Sequence, residues 1–221
     1  MDVKVEIFSD VVCPWCYIGH VRFAKAADRF RAKGGKVEVT FRPFQLSPEA
    51  TTEGRPLLEA LAQKFGPNVA QMTSRVREVG AQEGLEMNFD QAVHTGTFEA
   101  HRLIEVATAQ GKGHEMADAL FRAHFTDGLN VGDPDVLAKL AAEVGVSDDG
   151  EGAAQVDEQL ARARELGITG VPYFLFEDKY AVSGAQPDEV FDQVIDEVAE
   201  RTGQVPLAPA GDGCDDGYCA V

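Results

Sequence analysis

The sequence predicts an α/β protein in which a long helical block is inserted between two parts of a sheet. Three observations lead there. A strand-like run at residues 3–9 is joined by a helix-patterned stretch to a second strand-like run at 37–42. The segment 56–166 then carries its apolar residues mostly at helical spacing. Strand character returns at 171–176 and 180–184, and a final helical stripe follows.

Val3, Val5, Ile7 and Phe8 have the composition of a buried strand, and Asp10 reads as a turn residue after it. Ile18, Val21, Phe23, Ala24, Ala27 and Phe30 recur at helical spacing until Lys33-Gly34-Gly35. Residues 37–42 alternate and stop at Pro43, which cannot donate to a ladder. Strand, helix and strand in this order make a right-handed parallel unit. Residues 44–55 read as a loop with Pro48, Thr51, Thr52 and Gly54. In the helical block, residues 56–65 carry Leu57, Leu58, Leu61 and Phe65, and Asn68 is placed to cap a helix running to about Glu83. A short extended piece is expected at 85–89. Helices follow over 97–110 and 115–125, from Asp133-Pro134 to Val144, and over 153–166. Asp and Pro there occupy the N-cap and first helical positions. The runs 171–176 and 180–184 flank Glu177-Asp178-Lys179 and read as a hairpin. Pro187 opens a last helix with Val190, Phe191, Val194, Ile195 and Val198 on one stripe. The expected organisation is a discontinuous domain of residues 1–43 and 167–202, a helical insertion subdomain at 56–166, and a mobile Gly-, Pro- and Ala-rich tail at 203–221.

With 221 residues, 44% of them hydrophobic, the chain can build a sizeable core. A net charge of −17 argues against nucleic-acid and anionic-membrane partners, and solubility accounts for it. Met1-Asp2-Val3-Lys4 leads directly into a strand, without the basic and apolar regions of a signal peptide, and no run reaches transmembrane length. The expected compartment is the cytoplasm, where reactive dithiols are more often catalytic or sensing than structural.

Chemistry concentrates in Cys13-Pro14-Trp15-Cys16, at the strand-to-helix junction. Cys13 falls at the N-cap and Pro14 at the first helical position, where its missing N–H costs nothing. A thiolate at Cys13 would face unpaired backbone N–H groups and the positive end of the helix dipole. Cys16 stands one turn on and can close a disulfide with Cys13. The pair points to a redox dithiol. Half of a zinc site is the competing reading, but zinc needs two more ligands, and the only other cysteines are Cys214 and Cys219 in the tail. A purely structural disulfide closing so short a loop would constrain little of the unfolded chain.

Strand, C-x-x-C on a helix, strand, helical insertion, Gly170-Val171-Pro172-Tyr173-Phe174, hairpin and helix together resemble the thioredoxin fold of the DsbA-like oxidoreductases. The phrase from Phe8-Ser9-Asp10 through Cys13-Pro14-Trp15-Cys16 to Tyr17-Ile18-Gly19, with Ala100-His101-Arg102-Leu103, resembles the signal-less FrnE-like branch. The resemblance implies a thiol–disulfide oxidoreductase or isomerase with Cys13 as exposed attacking thiol and Cys16 as buried resolving thiol. It makes Pro172 the cis-proline beside the dithiol, turning the Val171 backbone towards an extended substrate. It also places Glu6 as a buried acid beneath the cysteines, moving the proton of the resolving thiol. His101 and Arg102 match the branch without a derived role, and His20 is expected to cap or face solvent.

Where DsbA has His between Pro and Cys, this chain has Trp15, which supplies no charge, so a less oxidising dithiol is expected. Trp15 also offers an apolar contact to an unfolded client. The expected partners are disulfide- or thiol-containing proteins and a low-molecular-weight thiol such as glutathione; no metal or organic cofactor is required. Two alternatives carry different chemistry: a glutathione-dependent isomerase of the 2-hydroxychromene-2-carboxylate type, which needs no second cysteine, and a redox-regulated holdase. The tail is long enough, at a reach of about 25 Å, for Cys214 and Cys219 to visit Cys13 as an auxiliary redox pair. A small local disulfide, or loose thiols without a role, is an equally good account of that pair.

Overall fold

The structure is a computed structural model that describes residues 2–202. Cys214 and Cys219, and with them the proposed tail shuttle, lie outside the described residues. In chain order the elements are β1 (Asp2–Ser9), α1 (Pro14–Ala32), β2 (Lys36–Pro43), β3 (Arg55–Pro56), α2 (Leu57–Phe65), a 3₁₀ turn (Gly66–Asn68), α3 (Val69–Gln82) and β4 (Val93–His94). There follow α4 (Phe98–Ala109), α5 (Gly113–Phe125), α6 (Pro134–Val144), α7 (Ala153–Glu165), β5 (Tyr173–Phe176), β6 (Tyr180–Ser183) and α8 (Asp188–Thr202).

Four strands form the main sheet in the order β2-β1-β5-β6. β1 runs parallel to β2, from Asp2 opposite Lys36 to Ser9 opposite Pro43, and antiparallel to β5. It is covered on both faces, which is why it reads as a nearly continuous apolar run. Val3, Val5 and Ile7 join Phe23 of α1 and Phe191 of α8 in the largest core cluster. Phe8 points the other way, to Ala163 of α7 and Ile168. The same large cluster takes in Leu103, Leu120 and Leu140, so the inserted helices and the sheet share one core.

The hairpin turns through Glu177-Asp178-Lys179: Glu177 and Asp178 are both at positive φ (51° and 53°), and the Lys179 amide donates to the Phe176 carbonyl at 2.9 Å. α6 starts as its sequence suggests: Asp133 accepts from the backbone N–H groups of Asp135 and Val136, Pro134 follows, and left-handed Gly145 ends the helix.

Several expectations need correcting. Residues 85–89, expected as a short extended piece, pair with no strand among the described residues: the amide of Leu85 donates to the Gly80 carbonyl and that of Asn88 to the Phe125 carbonyl. The segment closes the ends of two helices while burying Met87 and Phe89. The extended pair in this region is β3 with β4, where Pro56 was expected to begin a helix. Asn68 precedes α3 without capping it through its side chain, because it is held in the 3₁₀ turn.

Candidate active site

β1 delivers the chain to the site and α1 begins there. The amide of Cys13 donates to the Asp10 carbonyl (3.0 Å), closing the turn between them. Cys13 is the N-cap residue and Pro14 the first helical residue. The Cys13 carbonyl accepts from the amides of Cys16 and Tyr17 at 3.1 and 3.2 Å. Both thiols are free. The Cys13 side chain makes no capping hydrogen bond, contrary to the expectation that it faces the helix amides; its thiol lies 3.8 Å from the Val171 carbonyl, as donor.

The Val171–Pro172 bond is cis, at the start of β5. The amide of Gly184 donates to the Pro172 carbonyl (2.8 Å), tying the loop to the end of β6. On its other side the Pro172 ring rests on α1 at Gly19: a Cβ there would stand 3.0 Å from Pro172 Cγ. Helix start and proline loop are thus packed together on a residue without a side chain.

Cys13 is less open than expected of an exposed thiol. It is 5% exposed against 1% for Cys16, so only its edge reaches solvent. Trp15, Leu46, Leu58, Leu61 and Val171 are partly buried in the same apolar cluster. Burial first, and then the hydrogen bond and charge of Cys13, push the Cys16 thiol well above its ordinary value; the Ser9 side chain and the Asp10 backbone oppose this. Cys16 is thereby kept as a thiol until something takes its proton.

Glu6 is not beneath the cysteines. Its Oε1 accepts from Arg42 Nε (2.6 Å) and Arg162 Nη1 (2.7 Å). Burial raises its pKa, but the hydrogen bonds from Arg162 and Arg42 outweigh this and hold the group below the usual carboxylate range. A carboxylate so held is a structural ion, tying β1 to β2 and α7, and a poor proton carrier. The reason is strand parity: Ser9, beside Cys16, shares a face with Ile7, whereas Glu6 shares one with Phe8.

The buried acid near the dithiol is Asp10, which is wholly buried. Its Oδ2 accepts from the Leu46 amide (2.8 Å). Its Oδ1 lies 3.4 Å from His101 Nε2, which donates to the Phe44 carbonyl at 3.0 Å. A water-sized cavity of about 10 Å³ is lined in part by Ser9, Arg42, His101 and Phe121. Sequence reasoning passed over Asp10 as a turn residue; its place three residues before Cys13 was the available signal. Arg102, the neighbour of His101, points elsewhere, forming paired bonds with Asp148 (2.7 Å each). His20 neither caps nor faces solvent: it is 2% exposed, with Nε2 2.6 Å from Asp118 Oδ1.

No helix among the described residues is long and apolar enough to cross a membrane. The DsbA-like thioredoxin domain family matches residues 4–196. A relative in Bacillus subtilis, the uncharacterized protein YwbO, is 30% identical over 211 residues, covering 91% of this chain and all of that protein. Among solved structures, a probable DsbA oxidoreductase of Streptomyces coelicolor superposes with a TM-score of 0.84 at 35% identity, covering 99% of each chain. The cytosolic disulfide reductase DsbM of Pseudomonas aeruginosa, solved with glutathione, gives 0.62 at 19% identity, covering 89% of this chain and 99% of that one, and shares the fold. With its C-x-x-C at the head of α1 and a cis-proline loop against it, the chain belongs to the DsbA-like family of thiol–disulfide oxidoreductases.

Proposed function

We propose that this protein is a cytoplasmic dithiol–disulfide oxidoreductase of the FrnE-like branch, working in the reductase or isomerase direction on protein clients. The observation that carries the reading is the asymmetry of two free thiols one turn apart. Cys13 reaches the surface beside the Val171 carbonyl, while buried Cys16 is held protonated.

In the forward direction the Cys13 thiolate attacks one sulfur of a client disulfide. The S–S bond breaks, a Cys13–client mixed disulfide forms, and the other client sulfur leaves as thiolate and takes up a proton. Cys16 then gives up its proton and attacks Cys13 Sγ. The second client sulfur leaves, so the client gains two electrons and the enzyme holds a Cys13–Cys16 disulfide. A low-molecular-weight thiol such as glutathione restores the dithiol. In isomerisation the released client thiolate attacks a different client disulfide, and the client thiolate set free there attacks the Cys13–client disulfide, so that Cys13 leaves as thiolate and the enzyme ends unchanged. Apolar Trp15, Leu46, Leu58 and Leu61 around Cys13 suit the side chains of a partly unfolded polypeptide.

Cys16→Ser tests the reading. The variant should accumulate mixed disulfides with clients through Cys13 and lose turnover in the net reduction of a client disulfide. Full glutathione-dependent activity in this variant would instead support single-thiol chemistry of the 2-hydroxychromene-2-carboxylate isomerase kind and overturn the proposal.

A further inference from the structure

We propose that His20, His114 and Asp118 form a binding site for a divalent transition-metal ion of the zinc class, separate from the dithiol. His20 comes from α1, whereas His114 and Asp118 stand four residues apart on one face of α5. His20 Nε2 lies 2.6 Å from Asp118 Oδ1, and His114 Nε2 lies 3.5 Å from Asp118 Oδ2. One donor atom from each of the three falls within 4.8 Å of the others.

The His20 ring is fixed from behind, edge-on to Phe41 at 5.2 Å and stacked on Phe121 at 6.0 Å. The His114 and Asp118 side chains are each 49% exposed, which leaves the front of the cluster open to an ion and to a water ligand.

An ordinary ion pair accounts for His20 and Asp118 but not for His114. At 3.5 Å its nitrogen is beyond a good hydrogen bond to the carboxylate, yet its ring turns in to meet His20 at 4.8 Å between centroids instead of extending into water. To ligate, His20 Nε2 must give up the proton it shares with Asp118, which an arriving divalent ion displaces. Two imidazole nitrogens and one carboxylate oxygen, with solvent as fourth ligand, are the donor set of open tetrahedral zinc sites.

An ion at about 2 Å from each ligand sets tetrahedral neighbours about 3.3 Å apart, so Asp118 must open slightly from His20 as the ion binds. A half-exposed side chain can do this. The bound ion would tie α1, one turn beyond Cys16, to α5 of the inserted helices.

The test uses the full chain with Cys13, Cys16, Cys214 and Cys219 replaced by Ser, so that no thiol competes. Titration with Co²⁺ should give visible ligand-field bands without a thiolate charge-transfer band, and Zn²⁺ should displace it and raise Tm. His114→Gln and Asp118→Asn should each weaken Co²⁺ binding at least tenfold. If the four-serine chain does not fold, wild type and His114→Gln are compared directly, since thiolate ligation adds an intense near-ultraviolet band that this site lacks. Equal affinity in the wild type and His114→Gln, or no binding at millimolar Co²⁺, overturns the proposal.

Discussion

His124 on α5 should make the fold acid-sensitive, by an amount that follows from its burial. The residue is wholly buried, neither ring nitrogen has a hydrogen-bond partner, and its ring meets Phe125 edge-on at 4.5 Å. Burial pushes its pKa from 6.5 down to about 4, with Asp10 opposing and His94 adding slightly. A histidine lowered in the folded state contributes its full stability above the unfolded value of 6.5. It loses that stability as pH falls towards 4, because the unfolded chain takes up the proton first. The 2.5-unit gap between 6.5 and 4 amounts to about 3 kcal/mol, of which about 2 kcal/mol is gone at pH 5. His124→Leu is close in volume and cannot titrate. Urea unfolding at pH 7.5 and pH 5 for both proteins isolates the term from the carboxylates, which the two share. The wild type should lose about 2 kcal/mol more than the variant over that interval. At pH 7.5 the variant should equal or exceed the wild type, having lost two unsatisfied polar atoms. Identical pH dependence in the two proteins would refute the reasoning.

Two further predictions concern the dithiol. Gly19→Ala gains about 1 kcal/mol of helix propensity but sets a Cβ 3.0 Å from Pro172 Cγ and 3.3 Å from Ala185 Cα, an overpacking cost of about 1–3 kcal/mol. Tm should therefore move little while the rate of client-disulfide reduction falls several-fold, and an unchanged rate would show that the contact does not position the loop. Trp15→His should raise the reduction potential, by about 30 mV for each 1.4 kcal/mol by which a charged imidazole favours the reduced form. Equilibration with glutathione reads it directly, and a wild-type potential already as high as DsbA's would end the argument from Trp15.

The main sheet was legible because its strands report their own burial. Val3, Val5, Ile7 and Phe8 could only be a strand covered on two faces, and 171–176 with 180–184 could only be a hairpin. Helices with caps in the sequence, such as α6 behind Asp133-Pro134, were equally plain. The two-stranded β3–β4 pair was not, since two residues a side carry no periodicity and the pairing is set by loops far apart in the chain. His20 was misjudged for a related reason. Helical spacing marks one buried stripe, but α1 is packed by α8 on one side and meets residues of α5 on the other, which no local pattern reveals.

The exchange of Glu6 for Asp10 shows what residue type alone misses. Both are acids on or next to β1, and resemblance favoured Glu6. Parity decides against it: on a strand that alternates, the residue three before Ser9 must face away from whatever Ser9 faces. Glu6 accordingly meets Arg42 and Arg162, which hold it ionised on the α7 side. Asp10, just past the end of the strand, escapes the alternation. Its backbone shapes the turn into Cys13 and lies against the Cys16 sulfur, while its carboxylate, buried between the Leu46 amide and His101, is the acid within the dithiol's own neighbourhood. The polar groups that act on the Cys16 thiol are accordingly Cys13, the Ser9 side chain and the Asp10 backbone, and none of them belongs to Glu6.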